Sequence, residues 1–141
     1  MSDTVHLPTE HAATCIGSRA CASADGHPPL TLTVTAEAPG LCAALPVETF
    51  DGDGLAGYVR SLDQSFRGWK GERTWRSHRA DLRIRAAHPG RAVRLVRELR
   101  FAGPAEDDQW AVTVPVFLTP GEELRRAALD VAALIETARP V

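Results

Sequence analysis

The chain is almost without lysine: fifteen of its sixteen basic residues are arginine, and Lys70 is the exception. It also lacks any apolar run near the ~20 residues that a membrane helix needs, so no contact with membrane is expected. Its first thirteen residues have neither the cationic start nor the apolar centre of a secretory signal, and the expected compartment is the cytoplasm. Cysteines are few. Cys15, Cys21 and Cys42 are an odd number, which suits a disulfide framework poorly, and no C-x₂-C pair of the kind found in zinc sites is present. Reduced thiols and no metal are expected. A Gly-rich phosphate loop and a Gly-x-Ser-x-Gly elbow are both missing. The five histidines (His6, His11, His27, His78, His88) fall in loops or strand ends, with no metal-ligand spacing on a helix. The sequence therefore nominates no catalytic residue, no cofactor and no metal ligand, and the chain is expected not to be an enzyme.

What is present is unevenly placed. Residues 60–100 hold twelve basic residues against four acidic ones, a local charge of +8, whereas residues 1–59 carry −6 and residues 101–141 carry −4. An abundance of Ala, Gly and Pro beside arginine fits a GC-rich coding sequence. That accounts for arginine over lysine but not for its concentration in the middle. Such segregation implies a charged binding face or pairing between segments. At 141 residues, 44% hydrophobic and 24% charged, a single soluble domain spanning residues 1–141 is expected, with residues 1–29 weakly patterned and loosely ordered apart from a short strand near residues 13–19.

From Leu30 the pattern is regular. Leu30, Leu32, Val34 and Ala36 alternate with threonines, Pro39-Gly40 signals a turn, and Leu41, Ala43, Leu45 and Val47 alternate again, with Pro46 marking an edge strand. Asp51 or Asp53 is placed to cap a helix whose stripe is Leu55, Val59, Leu62, Phe66 and Trp69, ending at Gly68 or Gly71. Period two returns over Leu82–Ala86, over Val93–Phe101 and over Trp110–Leu118. Thr119-Pro120-Gly121-Glu122 reads as a capping box opening a last helix along Leu124, Ala128, Val131 and Ile135. The expected class is α+β: an antiparallel sheet of about five to six strands with two helices on one face, ordered strands, helix, three strands, helix.

The expected register contains two anomalies. Pairing His88 with Arg91 across Pro89-Gly90 sets Arg85 opposite Arg94 and Leu82 opposite Arg97. Pairing Phe101 with Trp110 sets Leu99 on Val112 and Val93 on Leu118. Like charges opposed across strands are destabilising. Either Asp81, Glu98 or water offsets them, or the face meets an acidic partner through Arg83, Arg85, Arg94 and Phe117. Arg97 falls in the dry row, where it needs Asp63 or Asp130 as a partner, a bulge that turns it outward, or an anion in a pocket with Trp69 and Trp110.

The segments Gly54-Leu55, Phe66-Arg67-Gly68-Trp69-Lys70-Gly71, Trp75-Arg76-Ser77, Trp110 and Gly121-Glu122-Glu123-Leu124 resemble a family of short, uncharacterised bacterial single-domain proteins, over about residues 30–135. The layout is also similar to immunity proteins of polymorphic toxins. That likeness implies a small α+β domain that binds a protein partner, and it carries no catalytic residues. The basic sheet implies an acidic partner. Nucleic-acid binding through the same arginines, with Arg73, Arg76 and Arg79 and stacking by Trp69 and Trp75, is the rival reading. It is opposed by the sequence pI of about 6.2 and by the acidic flanks. A small-ligand pocket around Arg97 is the third.

Overall fold

Leu30, Leu32, Val34 and Ala36 form the buried row of strand β3 (Pro29–Ala38), which folds back on β4 (Leu41–Phe50) through Pro39-Gly40. Proline sets its own φ, and Gly40 takes the left-handed value of +77° that a type II turn requires next. These strands come from a computed structural model, which describes the backbone of residues 4–6, 13–20 and 29–138 and the side chains of residues 30–136. β1 (Thr4–His6) and β2 (Ala13–Ala20) extend the sheet to the order β1-β2-β3-β4. The expectation of loose order before residue 30 otherwise lies outside the described residues, as do the side chains of Cys15 and Cys21. The thiol of Cys42 is exposed.

A second antiparallel sheet follows: β5 (Glu72–Arg76), β6 (Leu82–Ala87), β7 (Val93–Phe101) and β8 (Trp110–Leu118), in that order. Helix α1 (Leu55–Gln64) stands between the sheets in sequence, and α2 (Glu122–Ala138) ends the chain. The α+β class, the antiparallel pairing and the order strands, helix, strands, helix are as the sequence implies. The strands divide between two sheets, and β5 is an addition to the expected three after α1. Pro46 lies in β4, an edge strand, where a residue without an N–H is tolerated. One core joins both sheets and both helices, with Leu32 and Val47, Leu55 and Leu62, Leu82 and Val116, and Leu124 and Leu134 all fully buried.

The register of β7 on β8 is the expected one, with Phe101 on Trp110 and Val93 on Leu118. That of β6 on β7 is shifted by two: Leu82 faces Leu99, Ile84 faces Arg97, and Arg85 faces Val96 instead of Arg94. Both alternatives keep the apolar rows on one side, so alternation fixes only the parity. The shift sets Arg83 beside Glu98, an opposite-charge neighbour that the other register lacks. It also leaves residues 88–92 as a longer connection, pinned by His88, whose ring nitrogen lies 2.9 Å from the Phe66 carbonyl.

Both helix starts differ from expectation. Residues 51–54 form a turn with positive φ throughout, so Gly54, not an aspartate, precedes α1. Asp53 is engaged elsewhere: its carboxylate accepts from the Phe50 and His78 amides. At α2, Gly121 (φ +96°) delays the helix to Glu122, and Glu123, rather than Glu122, reaches back to accept from the Thr119 amide at 3.1 Å. α1 ends at Gln64, before the expected glycines, leaving Phe66 exposed.

Gly52 is buried in this turn, and a Cβ there would stand 2.9 Å from Ile135 Cδ1 of α2, whereas one at Gly54 would meet nothing within 4 Å. Gly52→Ala should therefore lower unfolding stability by about 1–3 kcal/mol, and Gly54→Ala, which adds only backbone strain, by less. Urea midpoints of the two variants check this.

Candidate functional site

The sheet β5–β8 has one dry and one wet face because side chains alternate along each strand. Its wet face reads, across the strands, Ala87, Arg94 and Phe117; then Thr74, Arg85, Val96 and Pro115; then Arg76, Arg83, Glu98 and Thr113. The structure thus brings Arg83, Arg85, Arg94 and Phe117 onto one face. Arg94 is directly opposite Phe117, which is 54% exposed. Val96 is only 6% exposed although it lies on this face, its neighbours being Arg85 and Pro115; long arginine stems can cover such a residue while their heads stay in water.

The like-charge contact foreseen for Arg85 and Arg94 is found instead at Arg76 and Arg83, which are directly opposed. Glu98, opposite Arg83 in the ladder, relieves it only in part. Glu98 contacts Arg100 at 3.3 Å. Asp81, whose carboxyl is pushed up by burial and only partly drawn back by Arg79 and His78, forms no ion pair with this face. Among the described residues no carboxylate lies within ion-pairing distance of Arg83, Arg85 or Arg94. With Arg76 and Arg100 these make five arginines on the face, against Glu72 and Glu98.

Other arginines are used internally. Arg73 Nη1 donates to the Ser61 carbonyl (3.2 Å) and to Ser65 Oγ (2.9 Å), covering the C-terminal end of α1, and its guanidinium lies 4.9 Å from the Trp69 ring. This contact ties the last turn of the helix to β5; an arginine distant in sequence gave no signal of it. Trp69 donates its indole N–H to the Ala86 carbonyl, and Trp75 donates its own to the Asp53 carbonyl. Both tryptophans are structural in these contacts. Arg79 stands 3.8 Å from Glu48.

Arg97 is on the dry face between Ile84 and Val114 and is 3% exposed. Neither Asp63 nor Asp130 pairs with it. Both line a surface groove between the helices with Arg125 and Arg126. No bulge turns it outward, because the β7–β8 ladder runs unbroken through it. Its Nε, Nη1 and Nη2 have no hydrogen-bond partner among the described residues. Burial pulls its pKa down to about 10, which still leaves it charged at neutral pH. It lines a cavity of about 30 Å³ with Val34, Leu62, Ile84 and Val131, among others. Trp69 and Trp110 are not brought to it: Trp110 is stacked on Phe101 at 6.0 Å, at the far end of the β7–β8 hairpin.

Among the described residues no group of three or more His, Cys, Asp or Glu is arranged to hold a metal ion, and no helix is long and apolar enough to cross a membrane. Two antiparallel sheets closed by two helices, with one sheet face left open and cationic, define the class of protein. Within that class the chain belongs to the family of unknown function DUF6228, whose pattern matches residues 13–138. No curated protein and no solved structure matches it.

Tyr58, the single tyrosine, donates to the Arg73 carbonyl at 2.8 Å, and burial raises its pKa well above the ordinary 10.0. The folded state thus keeps a proton that the unfolded chain loses, so stability should fall as pH rises past 10. Tyr58→Phe should flatten that decline. Urea midpoints across alkaline pH, with phenolate absorbance followed in parallel, read both effects. Arg73→Ala should cost about 1–3 kcal/mol through the uncovered end of α1, measured in the same way.

Proposed function

We propose that this protein is an interaction module that binds an acidic protein surface through the outer face of β5–β8, in the manner of an immunity protein that masks its partner. One observation carries the reading. Arg83, Arg85 and Arg94 share a face with the exposed Phe117 and none of them is in an ion pair, since Glu98, the acid opposite Arg83, contacts Arg100 instead; on the same face Arg76 and Arg83 are directly opposed. Like charges opposed across strands cost on the order of 0.2–1 kcal/mol per pair, and an acidic partner would convert that cost into attraction. Arginine around an accessible aromatic, over an apolar floor of Val96 and Pro115, is a composition found at the centres of interfaces.

The same arginines could meet phosphates, but Arg73 and Arg79 are engaged within the fold, which leaves fewer for a nucleic-acid backbone. The acidic residues Glu106, Asp107 and Asp108 precede β8 at one end of the face. A negatively charged polymer long enough to run along the sheet would meet them.

The double variant Arg85→Glu/Arg94→Glu should abolish binding, with the melting temperature almost unchanged, since surface substitutions usually stay within ±0.5 kcal/mol. Phe117→Ala should weaken binding by about tenfold or more. The check is affinity capture from nuclease-treated native lysate with wild type and both variants, followed by titration of the protein retained. A protein held equally by the double variant, or unfolding of that variant, would remove the proposal. Binding that disappears with nuclease and falls linearly in log–log terms with salt would assign the face to nucleic acid instead.

A further inference from the structure

Arg97 lies on the opposite side of the sheet from the arginine-rich outer face. Its guanidinium is buried, charged and without a partner among the described residues. An unpaired buried cation is among the costliest groups a core can hold, and an aliphatic residue of similar volume would often be more stable. The cavity that it lines lies where β3, α1, β6, β7 and α2 meet. We infer that this cavity is a binding site for a small monovalent anion of about the size of chloride, with the Arg97 guanidinium as its ligand.

Three features select that chemistry. The first is hydrogen-bond polarity. A guanidinium only donates, and a buried water needs two to four polar partners, including acceptors for its own hydrogens. The remaining wall is aliphatic except for Tyr58, whose hydroxyl is turned to the Arg73 carbonyl. An anion requires donors alone. The second is size. About 30 Å³ exceeds the roughly 10–15 Å³ that one water needs, yet leaves no room for an organic tail. The third is charge. One guanidinium balances one negative charge, whereas a divalent oxyanion would leave a net charge buried. The bound ion would complete the core in the place where the sequence offers Asp63 or Asp130 and the fold uses neither.

The test is thermal unfolding at constant ionic strength while chloride replaces gluconate, an anion too bulky for the cavity, in wild type and Arg97→Met. The melting temperature of wild type should rise saturably with chloride, as expected for a ligand that binds only the folded state. Arg97→Met should show no such rise and should melt above wild type in gluconate alone. An equal chloride response in both proteins, or none in wild type, overturns the proposal. Should the variant fail to fold, bromide-soaked crystals of wild type decide the matter. An anomalous peak within hydrogen-bond distance of Arg97 is expected, and its absence, or a water in that place, overturns the assignment.

Discussion

The two sheets are tied together by the left-handed turn at Asp51–Gly54, and much of the molecule depends on it. All four residues have positive φ (51°, 86°, 50° and 79°). For the two aspartates this costs about 1–2 kcal/mol each. The conformation persists because it is bonded on several sides. Thr49 Oγ1 accepts from the Gly52 amide and donates to the Leu30 carbonyl, inside the first sheet. Asp53 accepts from the Phe50 amide of β4, from the His78 amide after β5, and through its carbonyl from the Trp75 indole. One residue thus links the last strand of the first sheet to the first strand of the second. Only glycine at position 52 lets Ile135 of α2 approach and close the core over this junction.

Once that junction is set, the parity of each strand decides what faces the helices. On β5–β8 the inner rows are apolar apart from Arg73, which bonds the end of α1, and Arg97, and the outer rows carry the other arginines. The two departures from an ordinary sheet are therefore of the same kind, cationic charge without a counter-charge, on opposite faces. Outside, in water, that charge is tolerable and available to a partner. Inside, it is expensive. The same side chain in the same strand does different chemistry according to the side on which it lands: Arg94 lies next to Phe117, and Arg97 lies between Ile84 and Val114.

Much of this was legible in the residues. Alternation placed Arg83, Arg85, Arg94 and Phe117 on one face and put Arg97 on the other, because parity needs only a period of two. It placed β7 on β8 correctly, where Phe101 and Trp110 stack at the end of the ladder. It failed by two residues at β6–β7, since a shift of two preserves every apolar row and the decision passes to charge pairing and to the His88 contact with the end of α1. The helical stripe ran on through Phe66 and Trp69 on paper, yet α1 stops at Gln64, and Arg73, folded back from β5, bonds its last turn. A pocket uniting Arg97, Trp69 and Trp110 was an expectation drawn from residue type alone. The two tryptophans have their own duties at the edges of the sheet.

By itself the sequence determined the α+β class, the order of the elements, the two-faced character of each strand and the basic centre of the chain. These are local properties, set by periodicity, turn residues and counts of charge. Tertiary structure alone decided that the strands form two sheets, that Arg73 is a helix cap and Asp53 a clasp, and that Arg97 finds neither Asp63 nor Asp130. Each of those outcomes depends on which residues distant in the chain arrive within bonding distance. That is settled by packing both helices against both sheets at once, and no pattern read along the chain contains it.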